Sequence, residues 1–316
     1  MKVLIPPGKS GNVLATIAIG EQYLQPFMKY AYHTWEMYCR RHDLGLILFD
    51  DHLISPDHPK WKKANWQKYL IPSVIVDAGL PVNNVCHLDT DILISPLAPN
   101  IFEIYDQSKV ALVSMRSGLP MPHQETCRRL AFLRNRCFSS EYPLDSSLFI
   151  SLADLYSLIN VPPQIDYACS GVFVLNLTRH SSMLSEFFFE YDRNTLSPTN
   201  GGDQTHFNYF VQSNDLQQWL EYRFQALWTY EVACRYPFLY SEANDNRQLV
   251  RSCIEASLFT NYFLHFAGSW YESDMWEQVK VFDTPESLDM FSAFDEYLKT
   301  SVYGKPRGAI KPKEIS

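Results

Sequence analysis

The chain reads as an α/β protein with a mostly parallel central sheet, and three observations lead there. Short apolar runs alternate with amphipathic stretches of helical period from Val13 to Met115. Apolar residues make up 46% and aromatic residues 15% of the 316 positions, which supplies a substantial core. Two carboxylates, Asp89 and Asp91, stand where one apolar run ends and the next begins. In open α/β sheets, ligands bind beyond the carboxyl ends of strands, and these aspartates occupy such an end.

Residues 13–19 predict a first strand. Residues 23–41 predict a helix, because Phe27, Tyr30, Ala31, Thr34, Trp35 and Tyr38 recur at helical spacing. Residues 44–49 form a second strand, and 62–78 a second helix with Trp66, Tyr69, Leu70, Ser73 and Val74 on one face. Strands follow at 85–88 and 110–115. Residues 116–164 are less regular, rich in proline and arginine, with short helical stretches at 124–137 and 151–159. They are expected to be an insertion over the sheet, a lid or acceptor region. Strand character returns at 171–177, then a helix at 182–192, a Gly201-Gly202 turn and a helix at 204–211. The expected organisation is one domain over 1–270, carrying the insertion at about 116–165, followed by a helical extension and a mobile tail over 271–316.

The formal charge of −8 argues against a nucleic-acid surface, which would show a basic patch. An acidic protein that holds a phosphorylated ligand needs local cations or a metal. Seven cysteines without a Cys-x-x-Cys pair suggest reduced, buried thiols. The first residues lack the apolar segment of a signal peptide, and no apolar run reaches the ~18 residues of a membrane span. A soluble, cytoplasmic protein is therefore expected. Asn176-Leu177-Thr178 is formally a glycosylation sequon, but it continues an apolar strand and reads as a chance match.

Asp89 and Asp91 at the edge of a buried strand are costly unless something pairs with them. A hard divalent cation is the usual partner of two such carboxylates; a solvated turn is the plainer alternative. Four blocks bear on the choice. They are residues 15–23 with Thr16 and Tyr23, the Asp89-Thr90-Asp91 turn, the pair Asp166 to Asn176 and Gly201-Gly202-Asp203-Gln204, and Leu264-His265-Phe266-Ala267-Gly268. In this order they resemble glycosyltransferase family eight, which includes glycogenin and bacterial lipooligosaccharide galactosyltransferases. The resemblance spans about residues 12–270 and is close only at these blocks.

The resemblance implies a GT-A fold, a Rossmann-like nucleotide-sugar-binding sheet. It also implies Mn²⁺ (or Mg²⁺), a UDP-sugar donor and a carbohydrate or glycoconjugate acceptor. Carried over residue by residue, Asp91 is a main metal ligand, Asp89 shares the metal and touches the ribose, and His265 is the third ligand. Thr16 and Tyr23 fall at the nucleobase, with the tyrosine ring against uracil. Lys68 falls near the sugar and phosphates, with Thr90 beside the metal and Gly268 at the turn after His265. Asp166, Ser170 and Gly171 fall in the sugar pocket, and Asp203 and Gln204 near the anomeric carbon.

The chain departs from the family pattern twice. Cys169 replaces an asparagine, and Ser269-Trp270-Tyr271-Glu272 stands where a lysine follows the glycine. Plainer structural readings stand beside these roles: His265 and Tyr23 as core residues, Lys68 as a surface lysine, Asp203 as a helix cap. Retention of configuration is implied by the resemblance; inversion would need a carboxylate such as Asp203 as base. A non-catalytic nucleotide-sugar or glycan-binding module remains open. So does a different metal-dependent enzyme, since paired aspartates also serve phosphohydrolases and nucleotidyltransferases.

Overall fold

The structure, a computed structural model, describes residues 1–137 (side chains to 133), 149–192, 196, 199, 201–240 and 246–268. The extension expected over 271–316 lies outside the described residues, as do Ser269 and Trp270.

A seven-stranded sheet forms the centre, in the order β1-β3-β2-β4-β7-β6-β8. Its strands are β1 (Lys2–Ile5), β2 (Asn12–Ile17), β3 (Gly45–Phe49), β4 (Asn84–Leu88), β6 (Val110–Ser114), β7 (Ala168–Asn176) and β8 (Gln217–Leu220). A second, three-stranded sheet has the order β5-β10-β9, from β5 (Ile92–Ile94), β9 (Ala226–Leu227) and β10 (Phe263–His265). β3, β2 and β4 run parallel, as the strand–helix alternation predicts. β7 then enters antiparallel to both β4 and β6, β8 lies parallel to β6, and β1 is antiparallel to β3. β3, β2, β4, β6 and β8 therefore share one direction, so the sheet is mostly parallel as expected, with β7 and β1 reversed.

Both faces of the sheet are covered, which explains why β3, β4 and β7 are buried at every position and read as largely apolar runs. Successive side chains go to opposite faces. Val13, Ala15, Ile47 and Val85 join one core, with Trp66, Tyr69, Phe187 and Phe207. Leu14, Leu46, Leu48, Cys86 and Leu88 join the other, with Trp35, Tyr38, Trp228 and Phe263.

The helix expected over 23–41 is divided into α1 (Glu21–Pro26), a π-helical turn over Phe27–Ala31 and α2 (Tyr32–His42). Pro26 closes the first piece; it has no N–H to donate, and a π turn absorbs the mismatch. The helix expected over 62–78 is likewise split into α3 (Ala64–Gln67), a 3₁₀ turn over Lys68–Leu70 and α4 (Ile71–Asp77), with Pro72 in the first turn of the last piece. β1 was not expected: it is a short, half-exposed edge strand without apolar alternation.

In the insertion, α5 (His123–Cys137) and α6 (Leu152–Ser157) match the expected helices closely. α7 (Leu177–Glu190) begins five residues before the expected start, directly after β7, because the Asn176 side chain accepts from the Arg179 amide and caps it. The same side chain donates to Asn84 Oδ1 at 2.9 Å and is buried, so the sequon asparagine is spent inside the protein. α8 (Gln204–Ser213), α9 (Trp228–Arg235) and α10 (Arg247–Thr260) complete the described helices. None of the described helices is long and apolar enough to cross a membrane.

Trp35 ties α2 to the second sheet. Its ring is fully buried and its Nε1 donates to Ile92 O at 2.7 Å. Trp35→Ala is expected to lower stability by about 3–5 kcal/mol in urea unfolding, with Trp35→Phe intermediate because it refills volume yet strands the Ile92 carbonyl.

Candidate functional site

The Asp89-Thr90-Asp91 turn joins the two sheets, since β4 ends at Leu88 and β5 begins at Ile92. Its backbone is held from three directions. The Asp89 amide donates to Gly171 O at 2.8 Å, and the Phe266 amide donates to Asp91 O at 3.0 Å. Leu88 O accepts the Thr16 hydroxyl at 2.6 Å. β10 pairs antiparallel with β5, placing His265 opposite Ile92 and its ring beside Asp91. His265 Nε2 lies 3.2 Å from Asp91 Oδ1 and 3.9 Å from Asp89 Oδ2. One ligand atom from each of the three residues falls within 4.8 Å of the others.

β7 passes close by at Gly171. A Cβ there would stand 2.4 Å from His265 Cε1 and 2.8 Å from Asp89 Oδ2, so only glycine permits this approach. Behind the imidazole lies Gln225, buried at the end of a short turn. With its amide oriented by the network, Oε1 accepts from His265 Nδ1 at 3.1 Å and from the Val172 amide at 3.2 Å, while the amide nitrogen donates to Cys169 O at 3.2 Å. The ring proton then sits on Nδ1, and Nε2 faces the carboxylates. That is the arrangement of a metal-binding histidine, whose far nitrogen donates to a protein acceptor. Two carboxylates and one imidazole suit Mn²⁺ or a similar divalent ion.

The charges agree with a cation site. Burial pulls the His265 pKa down, but Asp91 opposes this and carries it well above the ordinary histidine value. Burial pushes Asp89 up, yet Lys68, His87 and His265 outweigh that and hold its carboxyl far below the usual range. Negative charge is thus retained at the turn, and a positive group is drawn to it.

The turn opens on a cavity of about 590 Å³, a size that suits a small organic ligand. Its walls come from four segments: Ile17, Ile19 and Tyr23 around the start of α1; the Asp89-Thr90-Asp91 turn; Lys63, Ala64 and Asn65 at the start of α3; and Thr199, Gly201 and Gly202 ahead of α8. Tyr23 is 39% exposed and so is not a core aromatic.

A second charged cluster lies at Asp203 and Lys68, both buried. Asp203 Oδ2 accepts from Lys68 Nζ at 2.9 Å, Tyr69 Oη at 2.6 Å and Ser170 Oγ at 3.0 Å, and Oδ1 accepts from Asn65 Nδ2 at 2.9 Å. Lys68 Nζ also donates to Ser170 O at 3.0 Å. Asp203 precedes α8 but makes no side-chain cap, so that plainer reading does not hold. Lys68 is no surface lysine either. Burial raises the Asp203 pKa, while Lys68, Tyr69 and Asn65 lower it further, so the acid stays below its ordinary value. Burial lowers Lys68, and Asp203 and Asp89 more than restore it.

The remaining expected residues fall as follows. Thr16 is fully buried and spends its hydroxyl on Leu88 O, beneath the turn rather than in the cavity lining. Thr90 and Tyr23 line the cavity. Ser170 and Gly171 lie on β7, between the two charged clusters. Gln204 Oε1 accepts from the Ser170 amide at 3.3 Å. Asp166 belongs to another set of contacts: it accepts from Ser114 Oγ at 2.7 Å, from the Ser117 hydroxyl and from the Tyr167 amide, holding the loop after β6 against the start of β7. Gly268 has φ +72°, a left-handed conformation that favours glycine.

No family model matches the sequence, and no curated protein matches it. Solved structures similar to it include three glycosyltransferases. One is a glycosyltransferase involved in the glycosylation of the major capsid of PBCV-1, 9% identical over 84% of this chain and 98% of that one, with a TM-score of 0.47. Another is the galactosyltransferase LgtC, in complex with donor and acceptor sugar analogs, at 11% identity over 88% and 99%, TM-score 0.43. The third is GlyE of Streptococcus pneumoniae TIGR4, at 13% identity over 96% and 67%, TM-score 0.42.

Sequence reasoning missed Gln225, Asn65 and His87. Nothing local marks Gln225 or Asn65, which reach the site through packing. His87 had a signal: it is an imidazole within the buried run of β4.

The Lys68–Asp203 pair sets a stability expectation. Asp203→Asn leaves a buried ammonium without its counter-charge and is expected to cost about 3–5 kcal/mol. Because the folded carboxyl titrates below its ordinary value, its contribution is complete above about pH 4 and is lost as pH falls further. Urea titrations between pH 2 and 7 should show a shallower acid loss in the variant than in the wild type.

Proposed function

We propose that this protein is a metal-dependent glycosyltransferase that moves a sugar from a UDP-sugar to a hydroxyl acceptor, with retention of configuration. The observation that carries the reading is the convergence of Asp89, Asp91 and His265 on one edge of a cavity that Ile17, Ile19 and Tyr23 also line. An apolar and aromatic segment for a base, next to a cation site for a diphosphate, is what a nucleoside diphosphate requires.

Asp89, Asp91 and His265 would hold a divalent ion, Mn²⁺ by ligand type. When bound, the ion supplies charge that stabilises the departing diphosphate. Gln225 accepts from His265 Nδ1 and so leaves Nε2 facing the carboxylates. Tyr23 offers a flat ring face to a base. Gly171 lets β7 pass close beside His265 and Asp89.

Asp203 carries the stereochemical argument. Both of its oxygens already accept hydrogen bonds, four in all, and its pKa is lowered. A carboxylate so engaged is a weak base toward an acceptor hydroxyl, which favours retention over an inverting displacement. Its role is to hold Ser170 and Lys68 in place beside the sugar-facing part of β7. The acceptor hydroxyl proton then leaves with an oxygen of the departing diphosphate.

A non-catalytic nucleotide-sugar-binding module is the second reading. It is favoured by Lys68, whose ammonium is spent on Ser170 and Asp203 rather than left for a ligand.

Incubation with Mn²⁺ and a panel of UDP-sugars is expected to release UDP slowly even without acceptor. Chelation by EDTA should stop the release, and Asp91→Ala should lower it by on the order of 100-fold or more while the fold persists. Binding without release with every donor would favour the second reading, and no binding at all would overturn both.

A further inference from the structure

We propose that His87 is a positioning residue that presets Asp89 for the cation. The inference rests on the metal reading of Asp89, Asp91 and His265. His87 is the penultimate residue of β4, two positions before Asp89, and the two-residue repeat of a strand brings both side chains to one side. Its Nε2 lies 3.1 Å from Asp89 Oδ1. The other carboxylate oxygen, Oδ2, is the one on the His265 side, 3.9 Å from Nε2 of that ring. One oxygen is thereby held from within the sheet while the other is left for the site. A carboxylate secured in this way is restrained from turning about its Cβ–Cγ bond, and Gly171 puts no side chain in the way of Oδ2.

The plainer reading is a core histidine kept for packing. The ring does pack: it is 1% exposed and stacks on Phe173 of β7, with centroids 4.8 Å apart and planes at 27°. Packing alone, however, would be served better by phenylalanine. His87 Nδ1 is buried with no hydrogen-bond partner among the described residues, a cost the fold bears for the sake of the other nitrogen. The orphan also fixes the tautomer. A proton on Nδ1 would be a buried donor without an acceptor, so the proton sits on Nε2 and is donated to Asp89 Oδ1. Outer partners of this kind orient ligating carboxylates, and their loss weakens metal binding by about 10–100-fold.

The test is calorimetric titration of Mn²⁺ into the wild type, His87→Phe and His87→Gln, without nucleotide, alongside thermal unfolding of each. His87→Phe keeps a ring on Phe173 but removes the donor, and is expected to bind Mn²⁺ about 10-fold or more weakly. His87→Gln returns an N–H near the same place and is expected to recover most of that loss. A folded His87→Phe that binds Mn²⁺ as tightly as the wild type overturns the inference alone. A wild type that binds no Mn²⁺ overturns the metal reading and this inference with it. Long-range ¹H–¹⁵N NMR of the wild-type imidazole gives a check independent of any variant: a proton on Nε2 is expected, and a proton on Nδ1 overturns the proposal.

Discussion

The close crossing of β7 under the Asp89-Thr90-Asp91 turn is the contact on which the site depends. At Gly171 the backbone of β7 receives the Asp89 amide, and no side chain separates it from His265 or Asp89. Asp89 is thereby fixed relative to the large sheet, while Asp91 and His265 belong to the small one through β5 and β10. The candidate cation site is the seam between the two sheets. It forms because a strand of one sheet runs, through a three-residue turn, into a strand of the other.

Around that seam, burial and charge are balanced residue by residue. Four ionisable groups, Lys68, Asp203, Asp91 and His265, are almost fully buried, an expensive arrangement unless each finds a partner. The partners differ in kind. Lys68 and Asp203 satisfy one another together with Ser170, Tyr69 and Asn65, and form a closed network. Asp91 and His265 face each other at the mouth of a cavity, with Gln225 closing the far side of the ring. The first cluster is complete in the protein alone. The second retains acidic oxygens turned toward open space, and this difference separates a structural ion pair from a candidate binding site.

Much of this was legible in the sequence. Short apolar runs located the central strands and the 3.6-residue period most helices, since a strand buried on both faces loses its alternation while one buried helix face leaves its mark at every third to fourth residue. Asp89 and Asp91 stood out because charge is costly within an apolar run. The misreadings have specific causes. Pro26 and Pro72 break long helical patterns into short pieces that share one apolar face, and periodicity cannot register the break. The direction of β7 leaves no trace in a strand buried on both faces, so the reversed strand within the mostly parallel sheet was invisible. The helix cap that stood as the plainer alternative for Asp203 does not form, because its side chain turns to Lys68 instead.

By itself the sequence determined the fold class, the core strands and the identity of the ionisable groups that need partners, because these follow from local pattern and from the cost of burying charge. Tertiary structure alone decided which partners they take. That Lys68 closes on Asp203, that Gln225 sets the proton of His265, and that His87 reaches Asp89 depend on β7 and β10 arriving beside β4 and β5 from distant parts of the chain. Hydrogen bonds act over about 3 Å, and no linear pattern encodes which remote residues will come that close.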